Sequence, residues 1–198
     1  MIGRKCAQCA RDIAHHLLCP HCRELNSPAA PDDPFAMLGL AATFDVDQDV
    51  LEARFLELSR ELHPDFFQDR PELRARSVFL AAALNEAFDT LKDPFRRAEH
   101  LLKRAGGKSS SEDKRLPPGF LVEMMELREA SDAAGDAGHG EVLRDLDLRR
   151  ASAVLELSRW FRSLGEGADR AAVLAQIRQD LNVVNYLNSL RRDLLGTR

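Results

Sequence analysis

The sequence predicts an all-α protein: a helical hairpin followed by an antiparallel three-helix bundle, preceded by a small four-cysteine metal-binding module. Three observations carry this expectation. Leu, Ala, Arg and Glu dominate, while aromatic residues make up only 6% of the 198 residues, a mixture that favours helix over sheet. Apolar residues recur at helical spacing in long runs through both halves of the chain. All four cysteines fall within the first 22 residues, as Cys6-x-x-Cys9 and Cys19-x-x-Cys22 with nine residues between the pairs.

Composition narrows the classes further. An apolar fraction of 44% is enough for a core, and 30% charged residues suit helices with wide solvated faces. The net charge of -4 argues against a nucleic-acid binder that relies on neutralising phosphates. No run of about 18 apolar residues occurs, so no membrane span is expected. The start, Met1-Ile2-Gly3-Arg4-Lys5-Cys6, has neither an apolar signal core nor an Arg/Ser-rich transit pattern, which reads as a cytoplasmic chain.

Taken in order, the cysteines come first. A two-residue spacer lets both sulfurs of a pair face one ion, and two such knuckles complete a tetrahedral thiolate site, for which zinc is the expected metal. Two disulfides would run against a reducing compartment. A redox Cys-x-x-Cys pair would follow a strand, and no strand pattern precedes either pair. An iron–sulfur cluster stays chemically open, because thiolate sets bind either. His15, His16 and His21 are further ligand types nearby, yet Cys6, Cys9, Cys19 and Cys22 already close a structural site. Such a closed site implies support of folding or docking rather than catalysis; the choice among folding, homodimer formation and partner selection stays open. The stretch 25–34 holds three prolines and no apolar period, so it reads as a linker and sets residues 1–28 apart as a module.

The hairpin follows. Residues 35–40 suit about two helical turns, and Asp45 or Asp47 can cap the next helix. Leu51, Phe55, Leu58 and Leu62 form one stripe, with Arg54 and Arg60 off it among Glu52, Glu57 and Glu61. His63-Pro64-Asp65 ends that helix, since proline lacks the amide and displaces the residue before it from the helical region. Pro71 suits a first helical position, and Leu73, Ser77, Leu80, Leu84, Phe88 and Leu91 repeat the stripe. Two matched stripes predict an antiparallel pair, with Phe35 and Leu38 packed across it and the tripeptide at its exposed tip. Asp93-Pro94 ends the second arm, and 95–105 forms a further short helix.

Gly106-Gly107-Lys108-Ser109-Ser110-Ser111 reads as a flexible joint; it lacks the first glycine and the strand–helix flanks of a phosphate loop. Three helical patterns come next, at about 118–134 closed by Gly135, 141–164 and 169–195. Leu143, Leu146, Arg150, Ala153, Leu157, Trp160 and Leu164 mark the second, and Leu174, Ile177, Leu181, Val184, Leu187, Leu190 and Leu194 the third. Short connections at 135–140 and 165–167 imply antiparallel neighbours. On the first of the three, Phe120, Met124 and Leu127 form the core stripe, while Leu121, Val122 and Met125 spill onto its flank beside Glu126 and Glu129. Periodicity alone leaves open a wide core face or a partner groove.

Particular residues add a resemblance. Leu38-Gly39-Leu40, Phe55-x-x-Leu58, Leu62-His63-Pro64-Asp65 and Leu84-Asn85-Glu86-Ala87-Phe88-x-x-Leu91 together resemble a J-domain. J-domains stimulate ATP hydrolysis by DnaK-class heat-shock chaperones, and the resemblance implies that His63, Pro64 and Asp65 are chaperone-binding. The chain departs from the pattern in its less basic second helix and in Phe66, where many J-domains carry Lys or Arg. Arg97-Ala98-Glu99-His100-Leu101-Leu102 and the run from Phe120 to Glu129 are similar to the HscB family of co-chaperones of iron–sulfur cluster assembly.

That resemblance spans residues from about 33 to the end. It implies a J-domain at 33–105 and a scaffold-binding bundle at 117–198, with Leu121, Val122, Met125, Glu126, Glu129 and Tyr186 contacting an IscU-like cluster scaffold protein. Ala133 stands where the family has a further acidic residue. The implied activity is that of a non-enzymatic adaptor, which delivers the scaffold to a dedicated HscA-like chaperone, stimulates its ATPase and promotes cluster transfer. The cysteine module is similar to that of longer, eukaryotic-type members, while the missing transit pattern reads as a bacterial-type chain. Residues alone also suggest a rival, a zinc-knuckle nucleic-acid or protein-binding module with a helical tail. Arg4, Lys5, Arg11 and Arg23 without an aromatic neighbour give that rival little support.

Overall fold

Two aspartates start the first helices of the computed structural model, which describes residues 5–14, 16–28, 30, 32–165 and 169–196, without the side chains of 136 and 137. His15, the first four residues and part of the 165–167 connection lie outside the described residues. The Asp33 carboxylate accepts the Phe35 amide at 3.0 Å and opens α1 (Pro34–Leu38). Asp47, rather than Asp45, caps α2 (Gln48–Glu61), accepting from Asp49 at 2.9 Å and Val50 at 3.2 Å. Helix α1 is shorter than expected because Gly39 takes a left-handed conformation, φ 67°, and closes it.

Beyond α2, His63 is extended (φ -61°, ψ 124°), as a residue before proline must be, and Pro64–Phe67 makes one 3-10 turn. Helix α3 (Pro71–Lys92) begins on Pro71. Leu51, Leu58 and Leu62 from α2 and Leu80, Leu84 and Leu91 from α3 are all buried, with Phe35, Met37 and Leu38 of α1 completing the core. Phe55 stacks on Phe88 with ring centres 4.2 Å apart. Ser77 lies fully inside this stripe, and its hydroxyl donates to the Arg74 carbonyl at 2.9 Å, so no polar atom is stranded there.

The chain divides into two compact units, Met1–Pro94 and Phe95–Arg198. The four-cysteine segment, expected to stand apart as 1–28, shares the first unit with the hairpin. Helix α4 (Pro94–Arg104), expected inside 33–105, falls almost wholly in the second. Its partners explain that: the Glu99 carboxylate takes a two-pronged ion pair from Arg178, both contacts 2.7 Å, and the Arg150 guanidinium sits 5.4 Å above the Phe95 ring.

The rest of this unit is α5 (Phe120–Ser163) and α6 (Arg170–Leu194). Helix α5 is one helix in outline only. Gly135, at φ 63° and ψ -148°, splits it into arms 120–134 and 136–163, so the expected connection over 135–140 shrinks to a single residue. The arms run antiparallel. Phe120 and Met124 of the first pack on Val142 and Leu146 of the second and on Leu187 and Leu190 of α6, and Arg149 donates to Glu123 at 2.7 Å. Gly138 permits the close approach at the bend, since a Cβ there would lie 2.8 Å from the Ser131 carbonyl oxygen.

Two stripe positions differ from expectation: Val142 and Val173 are buried, while Leu143 and Leu174 are only partly so. Each valine lies four residues before a fully buried neighbour, Leu146 or Ile177. Four residues turn a helix to within about 40° of the starting direction, three residues only to about 60°.

The Gly-Ser joint is also more structured than expected. Glu112 accepts the Ser109 amide at 2.8 Å and its hydroxyl at 2.6 Å, and buried Asn182 donates to the Asp113 and Arg115 carbonyls at 2.9 and 3.0 Å. Among the described residues no helix is long and apolar enough to cross a membrane.

The bend depends on glycine because its ψ, paired with a positive φ, is a region that side-chain-bearing residues do not adopt. Gly135→Ala is expected to lower stability by about 1–3 kcal/mol. The lost energy comes from backbone conformation alone, as no atom lies within 4 Å of the added Cβ. Urea unfolding followed by circular dichroism measures this, and an unchanged midpoint would contradict it.

Candidate metal centre and partner-binding surfaces

The four thiolates are held by a repeat of 13 residues that spacing contains but periodicity analysis overlooks. Lys5 bridges Asp12 and Leu18 bridges Leu25, each pair forming the base of a small knuckle. The Cys6 amide donates to the Arg11 carbonyl at 2.8 Å, as the Cys19 amide does to the Glu24 carbonyl at 2.9 Å. The residue after each second cysteine, Ala10 at φ 56° and Arg23 at φ 55°, turns left-handed and returns its amide to the Cys6 or Cys19 carbonyl. The amides of Gln8 and His21 point at the Cys6 and Cys19 sulfurs, both at 3.4 Å. Hydrogen bonds of this kind fix the orientation of metal-bound sulfur.

Bringing the knuckles together places Sγ of Cys6 3.5 Å from that of Cys22, and Sγ of Cys9 3.7 Å from that of Cys19. All four lie within 4.8 Å of one another. A disulfide would need about 2.05 Å. A tetrahedron with metal–sulfur bonds of about 2.3 Å has edges of about 3.8 Å, so the donor set fits one ion at its centre. His16 and His21 are not in the set: His16 bonds Glu61, and His21 lies beside Arg11 at 3.4 Å.

The sulfurs titrate unequally. The Cys9 amide holds the Cys6 thiol down at about 6. Against the pull of the Glu24 amide, burial and the neighbouring thiols push Cys22 up to about 12. Four such groups ionise together only around a cation.

The module rests on α2. Glu61 Oε2 accepts the amides of Leu17 and Leu18 at 3.0 and 3.1 Å, and Oε1 meets His16 Nδ1. Sequence reasoning missed this contact. Its one visible signal was a carboxylate in the last turn of a helix, where the helix dipole disfavours negative charge.

At the hairpin tip, the Asp65 amide donates to His63 Nδ1 at 3.4 Å, and Asp65 Oδ2 lies 3.6 Å from the same nitrogen. The side chains of His63 and Asp65 are 58% and 69% exposed. Phe67 is buried and anchors the turn, while Phe66 is exposed and edge-on to the His63 ring. Arg54, which would make α2 basic, turns inward to the Leu38 carbonyl at 3.3 Å and to Glu57.

On the first arm of α5, Leu121, Val122 and Met125 are 48%, 59% and 60% exposed, while Phe120 and Met124 are buried. The three flanking residues therefore stand outside the core, and the wide-core-face alternative does not describe them. Glu126 and Glu129 are exposed on the same arm. Tyr186 is half-buried and packs edge-on against Phe120 at 5.5 Å.

A helical hairpin with His-Pro-Asp in its loop, followed by a three-helix bundle, is the build of a J-domain co-chaperone. No protein-family model matches the chain. A co-chaperone protein HscB homologue from Shewanella oneidensis is 37% identical over 145 residues, covering 71% of this chain and 83% of that protein. The chain belongs to the HscB family of J-domain co-chaperones of iron–sulfur cluster assembly. Among solved structures, the chaperone HscB from Vibrio cholerae aligns with a TM-score of 0.64 at 26% identity, covering 83% of this chain and 96% of that one. The human co-chaperone protein HscB shares the fold with a TM-score of 0.76 at 24% identity, covering 98% of both chains.

Because the thiolate is the binding form, ion affinity is full above the thiol pKa values and lost as pH falls through them. At neutral pH Cys22 keeps its proton and must release it on ion uptake. Affinity is therefore expected to fall about tenfold or more per pH unit between pH 8 and 6. Competition with a chromophoric chelator measures this, and a pH-independent affinity would contradict it.

Proposed function

We propose that this chain carries an IscU-like iron–sulfur cluster scaffold protein to a dedicated DnaK-class, HscA-like chaperone in the cytoplasm and stimulates that chaperone's ATPase, which promotes cluster transfer. The observation that carries the reading is the exposure of His63 and Asp65 on a turn whose neighbour Phe67 is buried. Polar side chains so placed serve no core, and their geometry is maintained from below.

His63, Pro64 and Asp65 form the chaperone-binding element. Their work is placement at an interface, and the hydrolytic chemistry belongs to the chaperone. With Arg54 turned inward and a net charge of -4, long-range steering contributes less here than fit at the loop.

The scaffold-binding element is the face made by Leu121, Val122 and Met125 with Glu126, Glu129 and Tyr186. Positions 121, 125 and 129 follow one another at four-residue intervals, as do 122 and 126, so they share one side of the arm. An apolar centre with an acidic border suits a partner surface that is apolar with basic edges.

The thiolate site takes zinc in a structural role. A cluster of several irons would hold its cysteines further apart than a set whose sulfurs all lie within 4.8 Å. When bound, the ion supplies cross-linking charge and no reaction step.

Asp65→Asn is expected to lower maximal ATPase stimulation at least about tenfold while leaving scaffold binding intact, because it alters one desolvated contact of the interface. Unchanged stimulation sinks the chaperone assignment. Met125→Asp is expected to weaken scaffold binding by about 30-fold or more, through a charge placed at an apolar contact, with the co-chaperone still folded. Calorimetric titration with the scaffold protein reads this, and equal affinity sinks the assignment of that face.

A further inference from the structure

Glu61 occupies a position that its own helix disfavours. A carboxylate in the last turn of α2 faces the negative end of the helix dipole. What compensates is the cysteine module, through the Leu17 amide at 3.0 Å, the Leu18 amide at 3.1 Å and the His16 ring, with the side chain only 16% exposed.

Those amides are fixed by the second knuckle. Leu18 is bridged to Leu25, the Leu17 carbonyl receives the Asn26 amide at 2.7 Å, and the next residue along is the ligand Cys19. Glu61 in turn lies two residues before His63. On the far side of the loop, Arg70 donates to the Arg23 carbonyl at 3.3 Å, and Arg23 directly follows the ligand Cys22. The module therefore grips the chain just before and just after residues 62–69. Within the loop, buried Leu62 and Phe67 pin the chain, and the Phe66 amide donates to the His63 carbonyl at 3.1 Å. The His63–Asp65 contact at the tip, at 3.4 Å, is at the outer edge of a hydrogen bond.

His16, Glu57 and Glu61 also bring ligand-type atoms within 4.8 Å of one another, as a second ion site would. The two amides already occupy Glu61 Oε2 and Arg54 occupies Glu57 Oε2, so the group is a hydrogen-bonded brace, with its acceptors in use.

We propose that Glu61 is a positioning residue, which transmits the order of the ion-filled module to the His63-Pro64-Asp65 loop and so raises the fraction of chains whose loop is ready to engage the chaperone. This inference rests on the reading of that loop as chaperone-binding and of the thiolates as ion-bound. Its mechanism is a population effect. A binding-competent loop present in a smaller fraction weakens apparent affinity by that fraction, while the complex, once formed, behaves as before.

The test uses the full zinc-loaded chain, its Glu61→Ala and Glu61→Gln variants, and the chain stripped of zinc by a chelator. Two readings are taken: hydrogen exchange of the amides in 65–70, and the concentration giving half-maximal stimulation of a DnaK-class ATPase. Glu61→Ala is expected to keep its zinc, to exchange those amides about tenfold faster, and to need about tenfold more protein for half-maximal stimulation at an unchanged maximum. Zinc removal is expected to reproduce both shifts. Glu61→Gln, which keeps an oxygen for the Leu17 and Leu18 amides, is expected to recover most of both.

Unchanged exchange and half-maximal concentration in Glu61→Ala overturn the proposal. So does a lowered maximum at an unchanged half-maximal concentration, which places the effect in the complex after it forms, and so does faster exchange spread through the whole first unit, the sign of a partly misfolded sample. Should Glu61→Ala not fold, His16→Ala removes the imidazole from Glu61 and is read in the same way. The exchange measurement needs no chaperone. If Asp65→Asn leaves stimulation intact, the reading of the loop fails, and the exchange of 65–70 still decides the brace.

Discussion

Pro64 imposes the constraint from which the first unit takes its form. It denies α2 another turn and holds His63 extended, so the helix must stop at Glu61. A helix stopped there leaves carbonyls without partners, a negative pole, and a carboxylate at that pole. The knuckles answer the carboxylate with two amides and an imidazole. Proline thus creates both the exposed turn and the anchoring point beneath it, and the distance between the two is only a pair of residues.

The second unit is organised around a different polar group. Arg178 is almost wholly buried, yet each of its three guanidinium nitrogens donates to Glu99 or Asn182. Asn182 extends the network to the carbonyls of the segment that leads into α5. A buried charge tolerates little displacement, because its partners cannot be replaced by water. That requirement explains why α4, short and amphipathic, is committed to this unit, and it gives the first arm of α5 a fixed starting point.

How much of this was legible in the residues varies with the kind of interaction. Helix existence, the break at Pro64 and the stop at Gly135 follow from local backbone chemistry, and the sequence states local chemistry directly; the choice of Asp47 over Asp45 as the α2 cap needed the structure. The cysteine spacing was equally plain, as was the motif through which the J-type hairpin was recognised. The contacts of Glu61 and Arg178 were not legible. Each joins residues far apart in the chain, 44 positions for Glu61 with Leu17 and 79 for Arg178 with Glu99. No local pattern encodes such a pairing. The division between core and flank on the first arm was ambiguous for another reason: both faces are apolar, and only the partners of Phe120 and Met124 choose between them.

That double apolar character has a cost in uniqueness. A rotation of the arm by one residue, about 100° around its axis, would bring Leu121 and Met125 inward and turn Phe120 and Met124 out, trading one apolar set for another of similar size. Two apolar sets of similar size on one helix give hydrophobic burial alone little power to choose between such registers. What breaks the tie is polar and steric. The Arg149–Glu123 pair forms in one register only, and the Gly138 approach to Ser131 fits only one phase of the helix. A surface left apolar for others to use must be guarded against being used by its own fold, and in this chain a salt bridge and a missing methyl group stand guard.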